Sequence, residues 1–412
     1  MTKGRLVTLL GGMVLVPVAG SAQEALRGAM SADRALAYQA PPSVSGPDRL
    51  YWGPVQFSAG ASLAVSYDDN IRNLPSEQRL DDVIIRPGLD LGVQWPVTET
   101  SSLTVGFGVG YAFHVEHSEF DYFQITPTSA LSYSVTLRDL VLTVYDQVQY
   151  SSDVLDTPDL TGQARYPRLE NTVGLRAAYN LQTWLLQGGY AFYRYWAFDD
   201  DYQDLERGSH QFFLRPAYRV AEATQAGVEV SYSISDFDLP VRNDFISLSA
   251  GPYLDWTIVE GLRVGVRGGY VLYSFSATGT LPSLGDRDSW YAGVDLGHDL
   301  TEYLSHTLSV VRGVSVGVNS QYLERLDINY GIRWRFTDIW TLGVGASYAK
   351  GEDTTGVSGE DYDRVGFNAG ISRDLTERLR ADLSYRYYTY TSSDATREYV
   401  RNVVSLGASY QF

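Results

Sequence analysis

The chain has 412 residues, no cysteine and a formal charge of −17, with 39 Gly, 31 Tyr and 8 Trp. These values exclude a disulfide framework and a thiolate metal site and argue against nucleic-acid binding, and after residue 22 no apolar run is long enough for a spanning helix. A closed sheet can still cross lipid, because only one face of each strand must be apolar. Soluble β-sandwiches are the alternative, but a chain this long would need two or three of them, and no linker separates them.

Lys3 and Arg5 precede an apolar run from Leu6 to Val18 and the small residues Ala19, Gly20, Ser21 and Ala22. That is the layout of a signal peptide, residues 1–22, cut after Ala22. Gly11, Gly12 and Pro17 make the run too short to anchor, and its removal takes the charge to −19. Residues 23–53 carry Pro41, Pro42 and Pro47 and lack alternation, which predicts a periplasmic tail with a short helix near 24–36. A plug entering the lumen is the sharper alternative for this segment.

From Val55 one pattern repeats: an amphipathic strand, a short turn, a second strand and a polar loop. Thr98-Glu99, Arg138-Asp139, Thr301-Glu302, Thr337-Asp338 and Thr376-Glu377 mark short turns, and 180–183, 221–224 and 259–261 fill the same role. Acidic, Asp-rich stretches mark nine long connections: 68–80, 116–121, 153–167, 199–207, 236–244, 277–288, 319–321, 350–361 and 392–397. Seventeen connections predict an all-β, transmembrane antiparallel β-barrel of about eighteen strands (16–18) over 54–412, with both termini periplasmic.

The faces separate along each strand. Val83, Ile85, Leu89, Leu91, Val93 and Trp95 oppose Ile84, Arg86, Gly88, Asp90, Gly92 and Gln94. Leu326, Ile328, Tyr330, Ile332, Trp334 and Phe336 likewise oppose Arg325, Asp327, Asn329, Gly331, Arg333 and Arg335. Trp95, Trp184, Trp256, Trp334 and Trp340 lie next to short turns, and Tyr67, Tyr111, Tyr150, Tyr190, Tyr232 and Tyr270 suggest the opposite girdle. Asp146 and Arg312 fall on the apolar face, so a bulge or a change of register is expected there, since a midplane Arg costs roughly 2–4 kcal/mol.

This register turns arginines inward: Arg86, Arg176, Arg215, Arg219, Arg263, Arg267, Arg325, Arg333, Arg335, Arg364, Arg380 and Arg386. The inward acids are fewer: Asp90, Glu229, Asp255, Asp295, Asp299, Asp327 and Asp382. Rings of Arg select anions or anionic sugars; alternatively they form a ladder with Asp that holds the barrel round. Asp199, Asp200 and Asp201 match no calcium-loop spacing and read as solvated surface, so no metal and no cofactor is expected. His114 and His117, three apart in one strand, diverge, as do His298 and Asp299, and no hydrolase motif is present, so no catalytic residue is assigned.

The final segment, 397–412, alternates Val404, Leu406, Ala408, Tyr410 and Phe412 with Ser405, Gly407, Ser409 and Gln411. It resembles the terminal strand of Gram-negative outer-membrane barrels, whose closing aromatic, here Phe412, is read by the barrel assembly machinery. Ser66-Tyr67-Asp68-Asp69-Asn70-Ile71 ends the first strand, and Pro87-Gly88-Leu89 follows in the next. Together these resemble the outer-membrane β-barrel porin family often associated with exopolysaccharide biosynthesis and export loci. The resemblance spans about Val55 to Phe412; it implies outer-membrane location, contact with lipid and lipopolysaccharide, and passage of polysaccharide, and it supplies no site residues. Two functions stay open: a pore for solutes or an anionic exopolysaccharide, and a structural or adhesion barrel with a blocked lumen and active acidic loops. A rim-site hydrolase is a third, weaker reading.

Overall fold

The alternating segments form strands, and the strands form one ring. The structure, a computed structural model, describes residues 50–154, 157, 160–353 and 360–412. The expected signal peptide and all of the expected tail up to residue 49 lie outside them. Eighteen wall strands follow in order: β1 (Val55–Asp68), β2 (Asp82–Thr98), β3 (Ser101–His114), β4 (Tyr122–Ile125 with Ala130–Leu137), β5 (Leu140–Ser151) and β6 (Arg168–Leu181). Next come β7 (Trp184–Ala197), β8 (Arg207–Ala221), β9 (Thr224–Phe237), β10 (Phe245–Val259), β11 (Leu262–Phe275) and β12 (Asp286–Asp299). The ring is completed by β13 (Leu304–Ser315), β14 (Leu323–Trp334), β15 (Trp340–Asp353), β16 (Asp361–Asp374), β17 (Leu379–Ser392) and β18 (Tyr399–Gln411).

Each strand pairs antiparallel with its sequence neighbours, and β18 closes on β1 from Gly60↔Gln411 to Asp68↔Val403. Closure removes both sheet edges, so every ladder can be satisfied without water. The even tally brings Val55 and Phe412 to the rim of short turns; the Phe412 N–H donates to the Ala59 carbonyl at 2.9 Å. β4 is in two pieces because Pro127, which has no N–H to give a ladder, lies between them. One correction concerns the tail. Its last residues, Leu50–Trp52, form a short strand that folds back on Val55–Phe57 through Gly53, whose φ of +60° permits the tight turn.

The outer face is apolar around the wall. Leu63, Leu89, Leu91, Leu214, Leu272 and Leu406 are all at least half exposed, which a water-facing wall does not tolerate in a continuous belt. Trp95, Trp184, Trp256 and Trp334 are exposed toward the short-turn rim, and Tyr67, Tyr232 and Tyr270 toward the other. This is the two-girdle pattern of a bilayer-spanning barrel.

The expected bulge at the two misplaced charges is absent. Asp146 pairs with Leu131 and Val173, and Arg312 with Ala292 and Leu326, in unshifted registers. Both stay outside, where Asp146 is hydrogen-bonded and Arg312 is paired with an opposite charge. Asn171 donates to Asp146 at 2.6 Å. Arg312 pairs with Glu324 at 2.6 Å and lies 3.9 Å from the Trp290 ring centre.

Inside, large side chains lie flat over glycines of the adjacent strand. Tyr253 covers Gly227 and Tyr145 covers Gly174; a methyl at Gly227 would meet the Tyr253 ring at 2.8 Å. Glycine therefore sets how an inward aromatic lies against the wall.

Candidate functional site

The site is the interior of the ring, and its two halves differ. Toward the short turns, inward polar side chains are open: Asp295 keeps 48% and Arg267 27% of its side-chain surface. Toward the long loops the interior is narrowed by loops that pack inward.

The predicted inward arginines fall into three groups. Those with a carboxylate are Arg215 (Glu229, 3.7 Å), Arg267 (Asp295, 3.0 Å), Arg325 (Asp327, 2.8 Å) and Arg380 (Asp374, 2.7 Å). Arg86, Arg263, Arg364 and Arg386 make no ion pair among the described residues. Arg86 donates to the Ser66 hydroxyl at 3.3 Å and Arg364 lies 4.2 Å over the Tyr388 ring. Arg263 pairs in register with Thr257 and Gly297, and Arg386 with Asn368 and Val403. Arg333, on β14 opposite Gly343, shares this face, and Arg176 is buried opposite Gly189.

The third group sits at the rim. Arg219 donates to the Gln182 carbonyl at 2.8 Å and the Asn180 side chain at 3.1 Å. Arg335 follows the last residue of β14, its N–H still bonded to the Tyr303 carbonyl, and its side chain lies against the Tyr303 ring and the Glu302 carbonyl.

The long-loop mouth was not foreseen. The loop at 152–167 leaves β5 and the loop at 316–322 leaves β13, eight strands round the ring. They meet inside: Val316 and Val318 pack on Val154, Leu160, Tyr166, Tyr193 and Tyr195. Val316 also touches the cluster of Phe245, Tyr273, Phe275 and Tyr322. Arg242 bolts this crossing. Its guanidinium donates to the carbonyls of Gly317 (3.0 Å), Ser320 (3.0 Å) and Val318 (2.5 Å) and pairs with Asp204 at 2.7 Å. On the other side Arg72 donates to the Gly162 carbonyl at 2.6 Å and Arg397 to Thr161 at 3.0 Å.

Asp200 and Asp201 are exposed, as read from the sequence, whereas Asp68 and Asp82, at the loop-side ends of β1 and β2, are buried. Asp82 accepts the N–H groups of Val115, Glu116 and His117. In the last loop, donation from Thr396 holds the exposed Asp394 carboxyl below its ordinary range. The signal for an inward loop was present in Val154, Leu160, Tyr166, Val316 and Val318, apolar residues with no place in a wall strand.

The histidines do not assemble a nucleophile. His114 ends β3 beside Asp121 at 3.5 Å, while His117, expected in the same strand, lies in the following loop. His210 meets Tyr190 on the outer face at 2.8 Å. His298 and His306 are cross-strand partners 3.1 Å apart, also outside. Among the described residues none is hydrogen-bonded to a serine or threonine hydroxyl, and no three metal-type side chains converge.

No protein-family model matches the sequence, and no curated protein matches it. Solved structures with a similar fold include the outer membrane protein opdK from Pseudomonas aeruginosa, at 12% identity and a TM-score of 0.48 over 86% of this chain and 99% of that one. Acinetobacter baumannii OccAB3 is 14% identical, with a TM-score of 0.47 over 86% and 99%. Pseudomonas aeruginosa OccK2 (OpdF), solved in complex with glucuronate, is 10% identical, with a TM-score of 0.49 over 86% and 98%. At these values the likeness adds no weight beyond the strand register itself. The closed, even-stranded wall with its apolar outer face defines a bilayer-spanning β-barrel of the outer-membrane type.

Proposed function

We propose that the barrel is a passive channel for small hydrophilic solutes, with anions preferred, and that it does no covalent chemistry. What supports this is the excess of arginines over acids on the face read as inward, among them Arg86, Arg263, Arg364 and Arg386, which make no ion pair among the described residues. In a water-filled pore such charges lower the entry cost of anions and raise that of cations. The long loops face outside the cell and the short turns face the periplasm, lipid and lipopolysaccharide surround the wall, and the assembly machinery meets Phe412. An anionic exopolysaccharide needs the same basic wall, but a continuous polymer also needs the loops at 152–167 and 316–322 held apart. Their crossing favours small molecules.

The test is reconstitution in a planar bilayer under a KCl gradient. A reversal potential displaced toward that of chloride is expected, and glutamine at Arg263, Arg364 and Arg386 should move it toward zero. Cation preference would refute the anion reading. No conductance, before or after deletion of residues 23–53, would reject the channel in favour of a blocked structural barrel.

A further inference from the structure

A cavity of about 260 Å³ opens into the lumen from the β7–β12 wall, lined by Gln187, Arg215, Gln225, Tyr253, Asp255, Gly265, Val266, Arg267 and Asp295. It is smaller than the roughly 300 Å³ at which drug-sized sites begin, so it takes a small molecule or one unit of a longer one. Two of its three carboxylates, Glu229 and Asp295, are paired with its two guanidinium groups, and the third, Asp255, is hydrogen-bonded by a neutral amide. Arg215 lies 4.6 Å over the Tyr253 ring and 3.7 Å from Glu229, and Arg267 donates to Asp295 at 3.0 Å. Asp255 accepts from Gln225 at 2.9 Å, and Asp295 accepts a second bond from Ser309 at 2.7 Å. A free anion would compete with three carboxylates there, and a free cation with two guanidinium groups.

An uncharged group that both donates and accepts meets no such conflict. The lining sets donors from Arg267, Arg215 and Gln187 among acceptors from Asp255, Gln225 and Gln187. Guanidinium, carboxylate and carboxamide are planar, two-pronged groups that match pairs of adjacent hydroxyls. Asp255, Gln225, Arg267 and Asp295 are fixed by their neighbours, so ordering them on binding costs little. Gly265 keeps the space open: a methyl there would lie 3.5 Å from the Asp255 carboxylate, in ordinary contact.

The geometry points to a saccharide subsite in this wall, holding one sugar ring by its hydroxyls. It deepens the channel reading only in lying on the solute's route; binding itself does not require conduction.

The purified full-length mature barrel is titrated by calorimetry with D-glucose, D-galactose and maltose, and with sodium acetate and magnesium chloride. A polyoxyethylene detergent is used, since a glucoside detergent would compete. Saturable heat from at least one sugar is expected. Gly265→Val, which fills the cavity on a strand that accepts valine, and Asp255→Asn should each weaken it about tenfold or more. Sugar binding without conductance would leave the subsite standing and remove the channel. Conductance with no heat from any sugar would remove the subsite. Undiminished sugar affinity in both variants would also overturn it, as would acetate or magnesium binding lost in Gly265→Val while sugars give none.

Discussion

Arg401 of β18 grips Asp68 of β1 across the seam that closes the ring. Its Nε donates to Asp68 Oδ1 at 3.0 Å and its Nη2 to Oδ2 at 2.6 Å, and its Nη1 reaches Asn73 at 2.9 Å. The side chains retain 4% and 1% of their exposure. Asn402 adds two bonds to Asp69, and Asn70 donates to the Val400 carbonyl at 3.0 Å. The Tyr-Asp-Asp-Asn-Ile motif is therefore a fastening between first and last strands, and Ile71 buries its side chain against Ile84, Ala112 and Tyr122 just inside it.

Removing one partner leaves the other charge buried. Arg401→Met or Asp68→Ala alone should cost about 3–5 kcal/mol, and the two together less than their sum. Urea unfolding in detergent, read as loss of the compact band on unheated gels, measures it. Additive losses would mean that the pair is not coupled.

Arg242 gives a second prediction, on conduction. It ties the loop at 316–322 to its neighbours through three carbonyls and Asp204, and Asn243 adds two bonds to Gln321. Arg242→Ala should raise mean single-channel conductance or open time severalfold, and by leaving its acceptors unmatched it should also cost about 1–3 kcal/mol in unfolding. A conductance equal to the parent's would show that Val316, Val318 and the Asn243–Gln321 bonds hold the crossing without it.

The wall was legible in the sequence because a strand's alternation has one solution when one face meets lipid. Leu89 and Leu91 outside, with Arg86 and Asp90 inside, followed from that alone. Eight short turns and nine long connections fixed the even tally before any pairing was known. The mouth was not legible. Nothing local in Val154, Leu160 or Val318 says that they meet across the lumen, since that contact depends on the ring being closed. Asp146 and Arg312 were correctly placed outside, but their partners, Asn171 and Glu324, stand on neighbouring strands and become visible only with the register.

Those two outer charges make a third prediction. Asp146 depends on one donor, Asn171, in an apolar surround that includes Leu131 and Val173. Asn171→Leu alone should destabilise by about 1–3 kcal/mol by leaving the carboxylate unmatched. Leucine at both positions should recover the loss or exceed the parent, since the site then joins the surrounding belt. Unfolding free energies of the two single variants and the double variant decide this. A double variant no better than Asn171→Leu would mean that the polar pair is required by something touching the outer wall there.

Phe412 separates folding from recognition. In the closed barrel its N–H bonds to Ala59 and its half-exposed ring stands edge-on to Tyr410 at 5.0 Å. One backbone bond and one rim contact are worth about 1–2 kcal/mol in total. Deleting Phe412 should therefore leave refolding into detergent nearly intact. If the assembly machinery reads the terminal aromatic, the same deletion should lower the folded yield in the outer membrane severalfold. Phe412→Tyr, which keeps an aromatic ring, should restore most of it. Equal losses in cells and in detergent would place the role of Phe412 in the barrel rather than in its delivery.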